Sequence, residues 1–395
     1  MTHKVEGAKQ SFRASRAYRY YREFQAAKER AALESLVDRI AQQPKVDVTS
    51  WVRGELAGRA RHRRALPPSL SEARAVAVGA RGWERYGLWQ SLDRATASCP
   101  LFSDGCGDDV PFYSFSKEDQ RARGNRLLSF IDATEGAGGP IHFVFFYADS
   151  SNLSRELMEG LAGRGIWTVL MGLDDRHTFL AHPRGDIMVG VETIAPYVDL
   201  YWTSWRTATL LHYSIGSRAW LGAAAADPAF FHPLPVERDI DVLFLGQAYG
   251  IRHEVIAYLR RRGIPIESRG HGFDGQVGYI PFEQTIELLS RARVVLGISN
   301  VSLMHDVTIP KGRDFEVPMC GACYVTQYVD ELGDYFDIGR DIVCYGGQLN
   351  AAELVAGLLR DEARCARLRE NALRRSRARN TWEARLAEMY TVLRG

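Results

Sequence analysis

The sequence predicts an α/β protein with two doubly wound, Rossmann-like domains and a helical extension at the N-terminus. From Ala73 onward, short β-branched and aromatic runs alternate with helical segments, a pattern typical of parallel sheets built from βαβ units. The alternation stops over residues 223–239, which are rich in Ala and Pro, and then restarts. A length of 395 residues accommodates two such domains.

The strand candidates fall into two groups on either side of that segment. They are residues 74–80, 141–148, 166–172 and 199–204 in the first group, and 241–246, 264–268, 293–299, 322–327 and 341–345 in the second. We therefore predict four parts, which are a basic helical extension (1–70), an N-terminal domain (71–236), a C-terminal domain (237–379) and a C-terminal helix (380–395). The apolar stripe of that helix, Trp382 to Leu393, either packs on its own domain or clasps both domains.

The extension is basic and helical. Apolar residues recur at three- and four-residue steps over 11–43, which predicts a helix that ends at Pro44. Residues 1–70 hold 15 Lys and Arg against 7 Asp and Glu, whereas the whole chain has a formal net charge of +2. This basic end is either a solvated helical face or a contact surface for a membrane, a protein or nucleic acid.

The composition points to a cytoplasmic protein without a transmembrane segment. No apolar run approaches the ~20 residues that a membrane helix needs, and the N-terminus lacks the apolar core of a signal peptide. Six scattered cysteines are more typical of reduced thiols than of a disulfide framework. Cys320-x-x-Cys323 has no second pair at metal-binding spacing, which favours a packing role.

The most informative stretch is residues 311–345. Lys311 and Arg313 come just before a short predicted helix, and cations beside the unpaired N–H groups of a helix start are suited to binding a diphosphate. Glu316, in the first helical turn, is placed to accept hydrogen bonds from ribose hydroxyls. Gly321 lies among small residues that allow the backbone to approach a ligand closely.

The same stretch resembles a known family. It reads R-x-F-E-V-P-x-C-G-A-x-x-x-T and then E-L-x-x-Y-F-x-I-G-x-D-I-V-x-Y, which is similar to the C-terminal domain of CgeB-like glycosyltransferases. Further matched blocks are Phe244-Leu245-Gly246 with Arg252, Gly270-His271-Gly272, and Thr381 to Arg385. The resemblance covers about 240–395 and is looser over 71–239. It implies the GT-B fold of retaining, group-one transferases, with a cleft between the two domains.

The resemblance also implies a donor site for a nucleoside-diphosphate sugar. Its predicted residues are Glu316, Gly246, Arg252, Gly270, His271 and Gly321. In the wider superfamily two glutamates are separated by seven intervening residues, and Glu316 matches the second, whose role is to bind ribose. The first falls at Thr308, which is not acidic. Lys311 and Arg313 are therefore predicted to stabilise the diphosphate as it leaves.

The N-terminal domain supplies the predicted acceptor side. Trp83, Glu84 and Tyr86 follow its first strand, where loops of α/β sheets line the ligand crevice, although packing at the sheet edge is the alternative. Asp175 and His177 follow another strand, and we predict that they lie near the reacting centre with Lys311 and Arg313.

The sequence predicts neither a metal nor a cofactor. The carboxylate pairs Asp108-Asp109 and Asp174-Asp175 lack the Asp-x-Asp spacing of metal-dependent transferases, and cationic side chains can neutralise a leaving group instead. Neither βα turn that follows the first strand of a domain spells G-x-G-x-x-G, which disfavours a nicotinamide cofactor.

These observations favour sugar transfer from a nucleotide sugar to the hydroxyl of an unidentified acceptor, such as a glycan, a lipid-linked sugar, a protein or a small molecule. Three alternatives remain. The first is a nucleotide-sugar epimerase or hydrolase on the same fold, and the second is a catalytically silent GT-B module that binds a partner. In the third, the basic extension is an arm for nucleic acid.

Overall fold

The computed structural model describes residues 16–42, 46–104, 116–148, 150–273, 280–301 and 304–395. Its strands are β1 (Ala75–Gly79), β2 (Leu101–Phe102), β3 (Phe143–Tyr147), β4 (Trp167–Gly172), β5 (His182–Arg184), β6 (Ile187–Val189), β7 (Leu200–Thr203), β8 (Ala219–Leu221), β9 (Ile240–Leu245), β10 (Ile266–Arg269), β11 (Ala292–Leu296), β12 (Asn300–Val301), β13 (Met304–Thr308), β14 (Cys323–Gln327) and β15 (Val343–Tyr345).

The helices connect these strands in the order that βαβ units require. They are α1 (Arg16–Ala41), α2 (Val48–Ala60), α3 (Leu88–Ala95), α4 (Lys117–Gly138), α5 (Arg155–Gly163), α6 (Asp175–Thr178), α7 (Val191–Ile194), α8 (Arg206–Ser214), α9 (Arg252–Arg261), α10 (Phe282–Arg291), α11 (Arg313–Met319), α12 (Gln348–Arg360), α13 (Glu362–Arg379) and α14 (Trp382–Arg394). Short 3₁₀ helices lie at Leu70–Glu72, Trp83–Tyr86, Ser150–Asn152, Ala195–Tyr197 and Asp330–Asp334.

The N-terminal sheet has the order β2-β1-β3-β4-β7-β8, and every neighbouring pair in it is parallel. Its central strands are buried on both faces. Phe143 and Phe145 of β3 enter one apolar core, whereas Val144 and Phe146 enter another. The strand order reverses between β1 and β3, so their carboxyl ends form the crevice where such sheets bind ligands.

The C-terminal sheet has the order β10-β9-β11-β14-β15 and is also parallel throughout. Its order reverses between β9 and β11. Two short antiparallel hairpins, β5–β6 and β12–β13, project from the two sheets. The predicted fold class, two doubly wound domains, is confirmed. The sequence pattern missed β2 and β8, which have two and three residues and show no periodicity of their own.

The segment between the sheets meets the C-terminal helix. Ala223 to Ala226 are buried, and Ala226 forms an isolated bridge with Thr381 at the start of α14. Helix α14 then packs against α2 and α3 of the N-terminal domain, and its Tyr390 hydroxyl donates to the Pro67 carbonyl at 2.8 Å. The last helix therefore joins the end of the chain to the first domain.

The N-terminal domain also begins earlier than the sequence predicts. Helix α2 places Val52 and Leu56 in the apolar core of that domain. Arg59 and Arg63 pair with the buried carboxylate of Asp199, which follows the 3₁₀ helix before β7. The boundary predicted at residue 70 therefore has to move toward the N-terminus, because residues 48–63 are part of the first domain and Leu33 and Ile40 of α1 are buried in its second core as well.

We expect Arg63→Met to lower the free energy of unfolding by about 3 kcal/mol. Arg63 supplies two of the three guanidinium hydrogen bonds to Asp199, at 3.0 and 2.9 Å, and a buried carboxylate without them is costly. Urea unfolding measures the change. The control is Arg53→Met, because Arg53 is exposed on the same helix and should alter stability by less than about 0.5 kcal/mol. Equal small losses in both variants would contradict a structural role of the extension.

Candidate functional site

Two loops from different domains meet at the carboxyl ends of the sheets. Residues 173–178, which follow β4, contact residues 308–313, which link β13 to α11. The Lys311 ammonium lies 3.7 Å from Asp174 Oδ1, and the Arg176 guanidinium donates to the Thr308 carbonyl at 2.5 Å. We call the space bordered by these two loops the cleft.

The carboxylate of Asp314 holds the C-terminal side of the cleft in place. It accepts the backbone N–H of Lys311 at 2.6 Å, the Tyr324 hydroxyl at 2.8 Å and the Thr326 hydroxyl at 3.0 Å. Asp314 is fully buried, and desolvation raises the pKa of its carboxyl group above the ordinary value. These bonds tie the loop before α11 to strand β14, so the position of Lys311 is fixed by the sheet.

Arg313 and Arg252 converge at the end of β9. A Cβ atom on Gly246 would lie 3.4 Å from Arg313 Nη1 and 3.2 Å from Arg252 Nη1. Within the part of the chain that the structure describes, the Arg313 guanidinium makes no hydrogen bond or ion pair. An unpaired guanidinium at the point where the strand order reverses is suited to binding an anion.

Arg252 differs from Arg313 in that its guanidinium is buried and forms hydrogen bonds with the neighbouring loops. It donates to the carbonyls of Gln247 and Ile298 at 2.9 and 3.3 Å and lies 3.8 Å from the ring centre of Tyr249. Desolvation lowers its pKa to about 10, so the group is still charged at neutral pH. Arg252 thus adds positive charge next to Arg313 while it fixes the loops after β9 and β11.

Two predicted donor-site glycines pack backbone against backbone. Gly246 and Gly270 have φ values of 156° and 127°, and a Cβ on Gly270 would lie 2.3 Å from the Gly246 carbonyl oxygen. No other residue fits this approach. The loops after β9 and β10 are joined further by a hydrogen bond from the Ala248 N–H to the His271 carbonyl at 2.9 Å. The His271 side chain is exposed at this edge.

Glu316 lies in the first turn of α11, one helical turn from Arg313. Its side chain is partly exposed, and its carboxylate accepts no hydrogen bond from any residue that the structure describes. Desolvation raises the pKa of the carboxyl group, and the charge of Arg313 opposes that rise. The carboxylate therefore remains available to hydroxyl donors of a ligand.

Gly321 has a structural role at the opposite edge of the sheet. It precedes β14, has a φ of 63°, and a Cβ there would lie 3.0 Å from Pro233 Cγ in the segment between the domains. The glycine is needed for that contact and for its left-handed backbone. Gly321 therefore lies outside the candidate donor site. Cys320 and Cys323, on either side of it, are buried free thiols.

Asp175 also lies elsewhere than the sequence predicts. Its carboxylate is buried, accepts the Tyr201 hydroxyl at 2.7 Å and lies 3.5 Å from His212 Nε2. It anchors the loop after β4 to the domain core and does not face the cleft. The adjacent Asp174, which the sequence analysis did not select, is the carboxylate that borders the cleft.

Two sequence predictions fall outside the described atoms. His177 is a residue of α6, but its side chain is not described. Asp108 and Asp109 lie outside the described residues.

The predicted acceptor residues divide into interface and exposed groups. The Tyr86 ring lies flat on Phe282 of the C-terminal domain, with centroids 3.9 Å apart, so Tyr86 packs between the domains. Trp83 stacks on Trp382 of α14 and has its edge-to-face partner in Tyr147, yet it is 41% exposed. Packing between the domains therefore accounts for Tyr86, and of these two aromatic residues Trp83 offers the open surface.

Glu84 is a buried carboxyl group between these aromatic residues. It is 6% exposed, and its Oε2 atom has no hydrogen-bond partner among the described residues. Desolvation raises its pKa to about 7. Glu84 thus changes its charge near neutral pH at the carboxyl end of β1.

Residues 252–391 match the model of a family described as Glycosyl transferase-like. In sequence, no curated protein matches the chain. Many solved structures resemble the chain in fold, including the following three. Sucrose-phosphate synthase from Thermosynechococcus elongatus is 14% identical, with a TM-score of 0.52 over 82% of this chain and 98% of its own.

The other two structures contain a nucleotide. Anabaena HepE in complex with UDP and glucose is 12% identical, with a TM-score of 0.53 over 81% of this chain and 100% of its own. An alpha-glucosyltransferase in complex with UDP-glucose and DNA is 12% identical, with a TM-score of 0.54 over 82% and 100%. The chain has the GT-B fold. Among its described helices, none has both the length and the apolar composition needed to cross a bilayer.

We expect Glu84→Gln to stabilise the protein at pH 8 by up to about 3 kcal/mol. The ordinary pKa is 4.5 and the folded value is about 7, so the native state retains a proton that the unfolded chain loses in this window. The stability of the parent therefore falls as the pH rises from 4.5 to 7, whereas the neutral amide avoids this loss.

Urea unfolding at pH 5 and pH 8 tests the prediction, because the advantage of the variant should shrink toward the lower pH. The matched control is Glu118→Gln, since Glu118 is exposed on α4. If the free energies of unfolding of Glu84→Gln and the parent differ by the same amount at pH 5 and at pH 8, the raised pKa of Glu84 is contradicted.

Proposed function

We propose that this protein transfers a sugar from a nucleoside-diphosphate sugar to an acceptor hydroxyl across the cleft. The observation that carries the proposal is the Arg313 guanidinium at the end of β9, which has no partner among the described residues, with the Lys311 ammonium on the same loop. A diphosphate needs both charge and directed N–H donors, and this part of the sheet supplies them. The family match over the same domain supports the assignment.

In this proposal the C-terminal domain binds the donor. Arg313 and Lys311 contact the diphosphate, and the close backbones of Gly246 and Gly270 allow it to lie against the sheet edge. Glu316, which lacks a protein partner among the described residues, accepts hydrogen bonds from the ribose hydroxyls. Arg252 supports the site through its charge and through the loops that it holds.

The leaving group is stabilised by these cations without a metal ion. Negative charge grows on the diphosphate as the glycosidic bond breaks, and fixed positive groups in a partly buried site favour that change. The acceptor approaches from the N-terminal domain, where Trp83 offers an exposed ring. Retention of configuration, membership of the CgeB-like group and a cytoplasmic location belong to the same proposal.

Ligand binding tests the function directly. The full chain is heated with UDP, GDP, dTDP, ADP or CMP, because a ligand of the native state raises the melting temperature. We expect one nucleoside diphosphate to stabilise the protein. Slow hydrolysis of its sugar conjugate, with water as the acceptor, should proceed equally with EDTA and with added Mg²⁺. Absence of any stabilisation would overturn the donor site. Activity that is lost in EDTA and restored by metal would overturn metal independence alone.

Arg313 and Glu316 should affect different kinetic constants. Glu316→Ala should raise KM by roughly 10- to 100-fold, because a charge-assisted hydrogen bond to ribose contributes about 1.5–3 kcal/mol in ground state and transition state alike. Arg313→Ala should mainly depress kcat, since the diphosphate gains charge as the sugar departs. Arg313→Lys should restore only part of it, because the planar fork is lost.

Steady-state kinetics on folded variants decide between these effects. Arg340→Ala and Glu353→Ala are the controls, since both side chains are exposed on the C-terminal domain away from α11. If Glu316→Ala and Arg313→Ala both keep kcat/KM within about twofold of the parent, the donor site lies elsewhere.

A further inference from the structure

Asp174 and Asp175 are neighbours in sequence but have opposite environments. Asp175 is buried beneath the loop by Tyr201 and His212, which fixes the backbone at the start of α6. The side chain of Asp174 is 51% exposed, and although the residue stands at the N-cap of α6 it makes no capping hydrogen bond. Its carboxylate is therefore directed away from its own helix, toward Lys311.

The loop that carries Asp174 is held over the donor side of the cleft. The Arg176 guanidinium donates to the Thr308 carbonyl, and it also lies 5.1 Å from the Trp205 ring. The stretch from Thr308 to Arg313 contains no acidic residue of its own. Asp174 thus brings a carboxylate from the N-terminal domain to a segment of the C-terminal domain that lacks one.

The ion pair between Asp174 and Lys311 is open to replacement. The distance from Nζ to Oδ1 is 3.7 Å and both groups keep contact with solvent, so the pair adds little stability. Desolvation lowers the pKa of Lys311, which means that its ammonium gains from a strongly anionic partner. A diphosphate carries more charge than one carboxylate and would take Lys311 from Asp174.

We propose that Asp174 positions the donor sugar by accepting hydrogen bonds from its hydroxyl groups when the diphosphate occupies Lys311. This inference rests on the proposed function. A sugar bonded to a phosphate on Lys311 begins within a few ångströms of Asp174, and a half-exposed carboxylate released from its lysine is a strong acceptor for vicinal hydroxyls. Asp174 is thus a specificity residue for the sugar and not for the nucleotide.

The test compares a nucleotide with its sugar conjugate. UDP and UDP-glucose are the first probes, and GDP with GDP-glucose and ADP with ADP-glucose complete the panel. Binding to the full chain is measured by calorimetry for the parent and for Asp174→Asn. We expect the variant to bind the sugar nucleotide roughly 10- to 100-fold more weakly than the parent does, but to bind the free diphosphate equally or more tightly.

The matched control is Asp132→Asn. Asp132 is an exposed aspartate that pairs with Arg164 at the opposite edge of the N-terminal sheet, where α4 and α5 end. It should leave both affinities unchanged. Asp174→Ala serves as a second variant, and it should reproduce the loss for the sugar nucleotide.

The outcomes separate this inference from the function on which it rests. If the parent binds no diphosphate of the panel, the proposed function fails. If the parent binds but Asp174→Asn weakens both ligands alike, the carboxylate acts only through Lys311 and the inference is overturned. Unchanged affinity for the sugar nucleotide in Asp174→Asn, or a parent that binds no conjugate more tightly than its diphosphate, overturns it as well.

Discussion

The candidate site depends on the carboxylate of Asp314. This group is buried, and it is satisfied by one backbone N–H and two hydroxyls from β14 and the loop before α11. A buried carboxylate that accepts three hydrogen bonds is stable in the interior. Removal of the carboxylate would leave its three donors without a partner. Because the loop cannot move independently of the sheet, Lys311 and Arg313 are presented to the cleft without a ligand to organise them.

The parts of the site that are local in sequence could be predicted from it. Lys311, Arg313 and Glu316 lie within six residues, so the start of one helix brings them together without any contact from distant parts of the chain. The two sheets could also be predicted, because buried parallel strands leave continuous apolar runs between helical segments. Gly246 and Gly270 were found through the resemblance, and their contact explains why both are glycine.

The remaining parts depend on tertiary contacts that no local pattern encodes. Asp174 and Asp175 are chemically identical, and only the position of Tyr201 and His212 decides which carboxylate is buried. Asp314 lies within residues 311–345, but an acidic residue in the first turn of a helix is normally exposed to solvent and not buried in a core. Arg59 and Arg63 pair with Asp199, which lies more than 130 residues later in the sequence. The sequence alone therefore could not show which part of the basic extension belongs to the first domain.

The course of α14 bears on how the chain folds during synthesis. Its Trp382, Leu386 and Leu393 are buried, and Arg394 donates to the Pro68 carbonyl at 2.6 Å. Domains generally fold in order as they leave the ribosome, N-terminal first. Here α14 follows the second domain in sequence, so the surface of the first domain that α14 covers stays open while the second domain is translated. Completion of the first domain therefore depends on synthesis of the second.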